Sequence, residues 1–510
     1  MNEPRPASET KAPDTKALAA LGGILSALAG LAAGSIVAAV LGSRQTPVVA
    51  VGSAFIDRVP PWLKDLAISL FGVHDKTALR VGILVVLLVL AAVAGILAVR
   101  RWWAGAALTA ALSGLGILAA VTRPDAGQLD FVPSLAGGVA ALLILRLFAN
   151  RLSTTTGASG EVTRRGFLQL SAGVGLGTIA VAAGAQLAGG RRTEVADARR
   201  ALNLPKPPTL DQPPGVQAPG ATPWATPNAD FYRIDTALSV PLIKPSDWRL
   251  RIHGMVDKEL ELSYSELLER DIVHKWVTLT CVSNEVGSDL VGNALWSGIL
   301  LKDLLAEVGP AANADAIKST SNDGFTAGTP LSTLTDDRDS MLAFAMNGEP
   351  LPLEHGFPVR IVVPGLYGYV SATKWLTDIE VTRFDRFEGY WTPRGWSAQG
   401  PIKLASRIDV PRSKAEPGPV TVAGVAWDQH VGISKVEVRV DGGPWQQATL
   451  AADGSIDTWR QWHWTWNAPR GNHVLQVRAF DAQGNAQIEA EAPPAPDGAT
   501  GLHSVDVRVG

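Results

Sequence analysis

The sequence predicts a chain of three parts: an N-terminal all-α transmembrane bundle of about five helices, a mixed α+β domain, and a C-terminal immunoglobulin-like β-sandwich. Three observations predict this organisation. Ala, Leu, Gly and Val dominate residues 1–190, whereas most of the 16 tryptophans follow residue 220. From residue 231 to 400, short β-like runs alternate with helical stretches. Beyond about residue 405 the alternation of strands continues without helices.

The apolar part contains five stretches that could each cross about 30 Å of hydrocarbon, which takes roughly 20 residues. We place them approximately at residues 17–41, 79–99, 104–122, 131–148 and 168–189. The loop between the first two contains "AFIDRVPPWLKDLAISLFG", which is typical of an amphipathic helix lying on the membrane surface.

Arginines indicate the orientation of these spans. Arg100 and Arg101 follow the second span, and more arginines lie between the fourth and fifth. Because such clusters stay in the cytoplasm, we expect a multi-pass protein of the cell membrane, with everything after about residue 190 outside. The last span begins "TRRGFLQLSAGVGLG", and residues 163–189 are typical of a twin-arginine export signal. An ordinary positive flank of a span is the alternative.

The remaining chain divides into three segments that differ in composition and residue pattern. Residues 191–230 are rich in Pro and Gly and predict a linker that lies along a surface. Residues 231–400 form the mixed α+β domain. Residues 401–510 contain runs such as "SKVEVRVDGGPWQQATL", in which alternating valines precede a turn at Asp441. Short strands at this spacing predict the sandwich.

Composition excludes several classes of protein. The formal net charge of −3 gives no reason to expect a nucleic-acid partner. The single cysteine, Cys281, excludes an intramolecular disulfide and any Cys-rich zinc or iron–sulfur site. None of the eight histidines falls in the five spans, and no Cys-x-x-Cys-His motif occurs, so we expect no haem in this chain. The spans are then expected to anchor the protein or dock a partner.

Four sequence blocks surround Cys281 in a fixed order. They are "FYRIDT" from Phe231, "TLTCVSNEVGSDLVGNALWSGILLKDLL" from Thr278, "MNGEPLPLEHGFPVRIVVPGLYGYVSATKW" from Met346, and "IKLASRIDVPR" from Ile402. Together they resemble the sulfite oxidase family of molybdopterin-dependent oxidoreductases, over about residues 205–510. The resemblance implies an enzyme whose molybdenum is held by one pterin dithiolene and by the Cys281 thiolate. A soft thiolate suits such a metal.

The resemblance also implies roles for residues outside the Cys281 block. His355 and Arg360 match contacts to the pterin and its phosphate, and a planar guanidinium suits phosphate. Asp323 matches an acceptor for the pterin amino groups. The implied cofactor contacts are Tyr232, Arg233, Cys281, Asp323, His355, Arg360, Ser371, Thr373 and Lys374, with Cys281 as the catalytic and metal-binding residue. This chain has "RIDT" where animal enzymes have an Arg-Asn-His run, and ordinary surface ion pairs remain an alternative for its charged members.

The segment after Cys281 departs from the family. It carries Glu285, Val286 and Asp289 where sulfite oxidases have arginines, and acidic groups near the site would repel sulfite. Arg394, from elsewhere in the chain, could compensate for the arginines that this segment lacks. We therefore expect two-electron oxygen-atom transfer on a small oxyanion or an S-oxide. The electron partner is expected to be separate, a cytochrome or a quinone-linked protein, and pairing through the sandwich would give a homodimer. Sulfite oxidation proper, and a non-catalytic module that kept the fold, are the alternatives.

Overall fold

The computed structural model describes residues 15–43, 45–59, 70, 75–123, 126–153, 164–188, 190–207 and 212–510. The chain divides into two units. The first is Met1–Thr193 with Ala237–Ser239, and the second is Glu194–Thr236 with Val240–Gly510.

The described part of the first unit consists of helices joined by short turns and irregular segments. Its helices are α1 (Thr15–Leu41), α2 (Pro47–Arg58), α3 (Asp75–Arg100), α4 (Trp102–Val121), α5 (Val132–Ser153) and α6 (Arg164–Ala188). All except α2 are long and apolar enough to cross a membrane, which confirms the five expected helices. Most of the expected surface helix, and the threonine that starts the export-type segment, lie outside the described residues.

Small residues set the spacing of these helices. A Cβ added at Gly23 in α1 would lie 2.0 Å from the Ala91 carbonyl oxygen of α3. One added at Gly30 would lie 2.6 Å from the Gly137 oxygen of α5. Backbones approach this closely only where side chains are small, so α1 packs tightly against both α3 and α5.

The mixed domain contains two β-sheets. Their strand orders are β2-β1-β10-β5-β6 and β3-β4-β7-β8, with β9 paired to β7. The strands are β1 (Arg249–Gly254), β2 (Leu260–Ser263), β3 (Val273–Thr280), β4 (Val291–Leu300), β5 (Ala316–Ser321), β6 (Thr326–Pro330), β7 (Met341–Met346), β8 (Glu349–Pro350), β9 (Arg360–Val362) and β10 (Leu376–Thr382). Short helices connect them: α8 (Tyr264–Leu268), α9 (Leu301–Val308), α10 (Ser332–Thr335) and α11 (Gly368–Ser371).

The C-terminal part is the expected sandwich. Its sheets have the orders β11-β13-β17-β16 and β12-β19-β18-β14-β15. The strands are β11 (Ala405–Val410), β12 (Lys414–Ala415), β13 (Gly418–Trp427), β14 (Ile433–Val440), β15 (Gln446–Gln447), β16 (Thr449–Leu450), β17 (Arg460–Ala468), β18 (Gly471–Asp481) and β19 (Ser504–Val509). The alternating Val436 and Val438 are buried in its core with Trp462 and Val477, as a period of two predicts.

The segment expected to be a linker begins with a helix, α7 (Arg191–Ala201). Val195 is buried in the same core cluster as Phe231, and Arg199 Nε donates to the Leu351 carbonyl oxygen at 2.7 Å. Glu194 lies in the first turn and Arg199 and Arg200 in the last, which suits the helix dipole. Because Pro and Gly are abundant over the segment as a whole, its composition predicted a linker and gave no sign of this short amphipathic helix.

The rest of that segment is packed into the second unit. Trp224 is buried, and its ring lies 4.6 Å from that of Trp276 in an edge-on arrangement. Its carbonyl oxygen accepts hydrogen bonds from Asn293 Nδ2 at 3.0 Å and from Trp459 Nε1 at 2.8 Å. These contacts join the mixed domain to the sandwich.

Strand β3 is held by the sandwich close to its end. Thr278 N donates to the Asp457 carbonyl oxygen at 3.0 Å, and Thr278 Oγ1 accepts from Trp459 N at 2.8 Å. Gln429 Nε2 donates to the Thr278 carbonyl oxygen at 3.0 Å. Because Cys281 follows β3 directly, the sandwich helps to fix the backbone that carries the thiol.

Candidate active site

A cleft lies in the second unit, beyond the end of β3. Six of the nine residues expected to bind a cofactor line it: Tyr232, Cys281, Asp323, His355, Arg360 and Lys374. Arg233, Ser371 and Thr373 are not among its lining residues. The fold therefore gathers side chains that are up to 142 positions apart in the sequence.

Cys281 occupies the first position after β3. Its backbone N donates to the Leu290 carbonyl oxygen at 2.9 Å, and the residue is 8% exposed. Burial raises the pKa of the Cys281 thiol, while hydrogen bonds with Ser283 and the charge of Lys374 oppose that rise. The thiol therefore stays protonated at neutral pH unless a metal displaces its proton.

Arg360 begins β9 and is a deeply buried cation. Its Nη1 donates to the His355 carbonyl oxygen at 3.2 Å and its Nη2 to the Ala372 carbonyl oxygen at 3.4 Å. The guanidinium lies 5.0 Å from the centre of the Trp296 ring. Burial lowers the pKa of Arg360 to about 10, so it remains charged. No carboxylate among the described residues forms an ion pair with it, and a buried charge of this kind favours an anionic ligand.

Lys374 is held by Asp235, a residue that the sequence did not single out. Lys374 Nζ lies 2.9 Å from Asp235 Oδ2 and donates to the Glu354 carbonyl oxygen at 3.2 Å. Arg233 Nε donates to the same carboxylate oxygen at 2.9 Å. The Asp235 side chain is 3% exposed. Arg233 thus acts on the cleft through Asp235, and the "RIDT" that departs from the animal pattern supplies this carboxylate.

His355 and Tyr232 are both neutral here. Burial first, and then the charges of Arg360 and Lys374, lower the pKa of His355 to about 4, so its imidazole is uncharged at neutral pH. Burial also raises the pKa of Tyr232 far above its usual range. Phe231 stacks on Tyr232 at 5.2 Å and meets His355 edge-on at 5.6 Å. The cleft therefore offers a phenol and an imidazole as hydrogen-bonding groups without charge.

Ser371 and Thr373 stand behind the cleft wall. Ser371 Oγ donates at 2.9 Å to the carbonyl oxygen of Tyr367, the residue before α11. Thr373 Oγ1 shares a hydrogen bond of 2.7 Å with Ser319 Oγ. Both hydroxyls are engaged by the protein and help to hold the segment between α11 and β10, which carries Lys374. Asp323, in contrast, lines the cleft from the turn after β5.

One side of the cleft is aromatic, which sequence reasoning did not predict. Phe325, Tyr369, Trp391 and Trp396 line it. The Trp396 ring lies 5.9 Å from Tyr369 and 6.2 Å from Trp391. Because Tyr369 lies in α11 and the other three lie in loops, no pattern in the sequence marks them as neighbours.

The acidic residues after Cys281 lie elsewhere. Glu285 and Asp289 are exposed and are not among the residues that line the cleft. The expected repulsion of an anionic substrate by these groups therefore has little geometric support. Arg394, the expected compensating cation, lies 3.7 Å from the centre of the Tyr390 ring and does not line the cleft either.

The cleft suits a large anionic cofactor that brings its own donor atoms. Among the described residues, no group of three or more His, Cys, Asp or Glu side chains could hold a metal ion. A metal bound by Cys281 would therefore take most of its ligands from a cofactor. The buried Arg360, with only neutral partners, provides the charge that a phosphate needs. The residues present fit a molybdenum cofactor with a phosphorylated pterin.

Comparisons with known proteins give the same assignment. Residues 237–391 match the family model "Oxidoreductase molybdopterin binding domain", and residues 408–477 match "Bacterial Ig domain". The "Uncharacterized oxidoreductase YuiH" of Bacillus subtilis (strain 168) is 33% identical over 153 residues, which are 30% of this chain and 74% of that protein.

Longer matches are more distant. The mitochondrial sulfite oxidase of Mus musculus is 29% identical over 343 residues, which span 57% of this chain and 62% of the mouse protein. The chain thus covers less than two thirds of that relative. Among solved structures, the sulfane dehydrogenase SoxCD from Paracoccus pantotrophus shares the fold, with a TM-score of 0.50 at 23% identity over 57% of this chain and 84% of that one. The cleft, the family model and these relatives agree: the chain belongs to the sulfite oxidase family of molybdopterin-dependent oxidoreductases.

Proposed function

We propose that this chain is a membrane-anchored molybdenum-cofactor oxidoreductase that moves an oxygen atom and two electrons to or from a small S-oxide or oxyanion. The observation that carries the proposal is the meeting of Cys281, Arg360 and Lys374 in one cleft. Bound there, the cofactor supplies the oxygen-atom transfer chemistry. The protein supplies a thiolate, buried charge and a shaped pocket.

Five of the cleft residues have distinct parts in this proposal. Cys281 is the single protein ligand to the metal. Arg360 and Lys374 bind the anionic end of the cofactor, and the Asp323 carboxylate accepts from its amino groups. Tyr232 keeps its phenol proton across the physiological pH range, so its hydroxyl can donate a hydrogen bond to an oxygen of a bound substrate.

The aromatic wall favours an S-oxide that carries an organic group over a bare inorganic anion. Phe325, Tyr369, Trp391 and Trp396 offer flat apolar surface, which stabilises an aromatic or aliphatic substituent. Sulfite is the second candidate. Glu285 and Asp289 are exposed and do not line the cleft, so they give no strong reason against an anionic substrate.

Replacing Trp396 by alanine should discriminate between substrates. We expect kcat/KM for methyl phenyl sulfoxide to fall about 3–10-fold, because one aromatic contact contributes roughly that much, and that for dimethyl sulfoxide to change less. The rates are measured with a reduced viologen dye as electron donor. Trp445→Ala, in the sandwich, is the matched control and should leave both rates unchanged. Equal losses for the two sulfoxides, or turnover of sulfite alone, would contradict the S-oxide assignment.

We also place the active domain outside the cytoplasmic membrane. Five long apolar helices in the described ranges, and the arginines beside them, support this topology. In this topology the electron partner, a cytochrome or a quinone-linked protein, binds on the outer side of the membrane. The sandwich pairs two chains as a homodimer.

Changing Arg164 and Arg165 together to lysines is expected to trap the second unit inside the cell, since export by the twin-arginine route reads the paired arginines. Protease digestion of intact spheroplasts measures this: residues after about 190 should become protected. Arg100→Lys with Arg101→Lys is the control, because it keeps the charge at another span. A second unit that stays protease-accessible in the Arg164/Arg165 variant refutes export by this route.

A further inference from the structure

The helical unit contains a second cavity, which is lined by residues of α1 to α5 and is partly open at its surface. Its lining is apolar or small, with Leu87, Leu90 and Leu112 on one side and the glycines of α1 and α5 on the other. No charged side chain is among the residues that line it in the described part of the chain. A phosphate headgroup would find no partner there, so a ligand must be neutral.

Four hydroxyl-bearing residues line this cavity, and three of them are satisfied within their own helices. Ser26 Oγ donates to the Gly22 carbonyl oxygen at 2.7 Å, Thr109 Oγ1 to the Gly105 oxygen at 3.0 Å, and Ser113 Oγ to the Thr109 oxygen at 2.9 Å. These are the usual bonds to the carbonyl four residues earlier.

Ser134 is the exception. It is 3% exposed, and its Oγ has no hydrogen-bond partner among the described residues. The reason is local: Ser134 is the third residue of α5, so the carbonyl four positions earlier lies outside the helix. A buried hydroxyl without a partner in an apolar cavity is an unused donor, and an acceptor on a ligand would offset the cost of burying it.

We propose that this cavity binds an isoprenoid quinone, whose head carbonyl accepts a hydrogen bond from Ser134 Oγ and whose tail lies along the apolar lining. Among the described residues that line the cavity, the neutral side chains and one unpaired donor suit a neutral lipid-soluble carbonyl compound. The choice of a quinone within that class rests on the proposed function, which needs a two-electron partner. Ser134 lies near the end of the bundle that the positive-inside rule puts outside.

The test uses the full-length holoenzyme in phospholipid nanodiscs. An azido derivative of decylubiquinone is photo-crosslinked, the labelled peptides are identified by mass spectrometry, and unlabelled decylubiquinone competes. We expect saturable labelling of cavity-lining residues on α1, α3, α4 or α5. Ser134→Ala should weaken competition about 3–10-fold, the usual effect of one hydrogen bond. Labelling confined to lipid-facing surfaces, or unchanged competition in Ser134→Ala, overturns the proposal and leaves an acyl chain as the occupant.

A pair of glycine substitutions provides a steric control. A Cβ added at Gly82, which lines the cavity, meets nothing within 4 Å, and the same is true at Gly114, which does not line it. Gly82→Leu adds bulk at the edge of the cavity and should weaken saturable labelling, whereas Gly114→Leu should behave like the wild type. Equal labelling of the two variants contradicts the site.

The same measurement on Cys281→Ser separates this inference from the proposed function. Quinone binding should persist in that variant, because the cavity lies wholly in the helical unit. Labelling lost together with molybdenum would overturn an independent quinone site. Labelling retained in a protein that never carries molybdenum would uphold the site while removing the proposed enzyme function.

Discussion

Replacing Cys281 by serine is expected to remove molybdenum from the purified protein and to lower oxygen-atom transfer by more than about 100-fold. Residues that only support a metal ligand already contribute 10–100-fold, and Cys281 is proposed as the ligand itself. Serine removes the one thiol that the sequence offers as a sulfur ligand to this metal. Metal analysis of protein from a molybdenum-replete host, with a viologen-linked assay, measures both effects.

The matched control for this change is Ser283→Ala. Ser283 lines the same cleft two residues away and bonds to the thiol, so its removal alters the surroundings of the sulfur without removing the ligand. We expect that variant to retain close to one molybdenum per chain. A Cys281→Ser protein that binds molybdenum fully and turns over S-oxides would refute the role of Cys281, and a folded wild type without molybdenum would refute the enzyme assignment.

Replacing Arg360 by methionine should separate cofactor binding from stability. We expect cofactor affinity to fall roughly 10–100-fold, since a charge-assisted hydrogen bond to an anion contributes on the order of 1.5–3 kcal/mol. The cofactor-free protein should not become less stable, because its Arg360 is a buried cation held by backbone carbonyls and an aromatic ring. Removing that charge removes a desolvation cost. Cofactor retention is measured by pterin fluorescence after release, and stability by urea unfolding of protein from a cofactor-deficient host.

Arg338→Met is the matched control for this prediction. Arg338 forms a close ion pair with Asp336 and donates to the Pro364 carbonyl oxygen, and it does not line the cleft. That variant should keep the cofactor and lose some stability, the reverse of Arg360→Met. If Arg360→Met retains the cofactor and unfolds more easily, Arg360 is a structural residue and the phosphate assignment fails.

The sequence was most informative where short-range patterns carry the signal. The period-two valines of β14 predicted a buried strand, and hydropathy predicted five long helices, because both depend on neighbours in the chain. The motif order around Cys281 predicted which distant residues share one site, and six of them line the cleft. Arg233, Ser371 and Thr373 lie nearby, but their side chains bind other protein groups.

Short-range reasoning was least informative about contacts between elements. It placed Glu285 and Asp289 near the substrate because they follow Cys281 closely, yet the turn after β3 directs them to solvent. It missed α7, whose one buried valine is too weak a signal within a Pro-rich segment. It also missed Asp235, whose value as a partner of Lys374 depends on a residue 139 positions away.

The sequence by itself determined the three-part architecture, the family and the thiol on which the chemistry is proposed to depend. Periodicity and the order of motifs depend only on the order of residues in the chain. Only the tertiary structure decided that Arg360 is buried with neutral partners, that four aromatic side chains wall the cleft, and that the sandwich holds β3 just before Cys281. Burial and charge pairing arise from residues that are distant in the chain and meet only on folding. The tertiary structure also decided that Ser134, at the start of α5, is buried beside an apolar cavity.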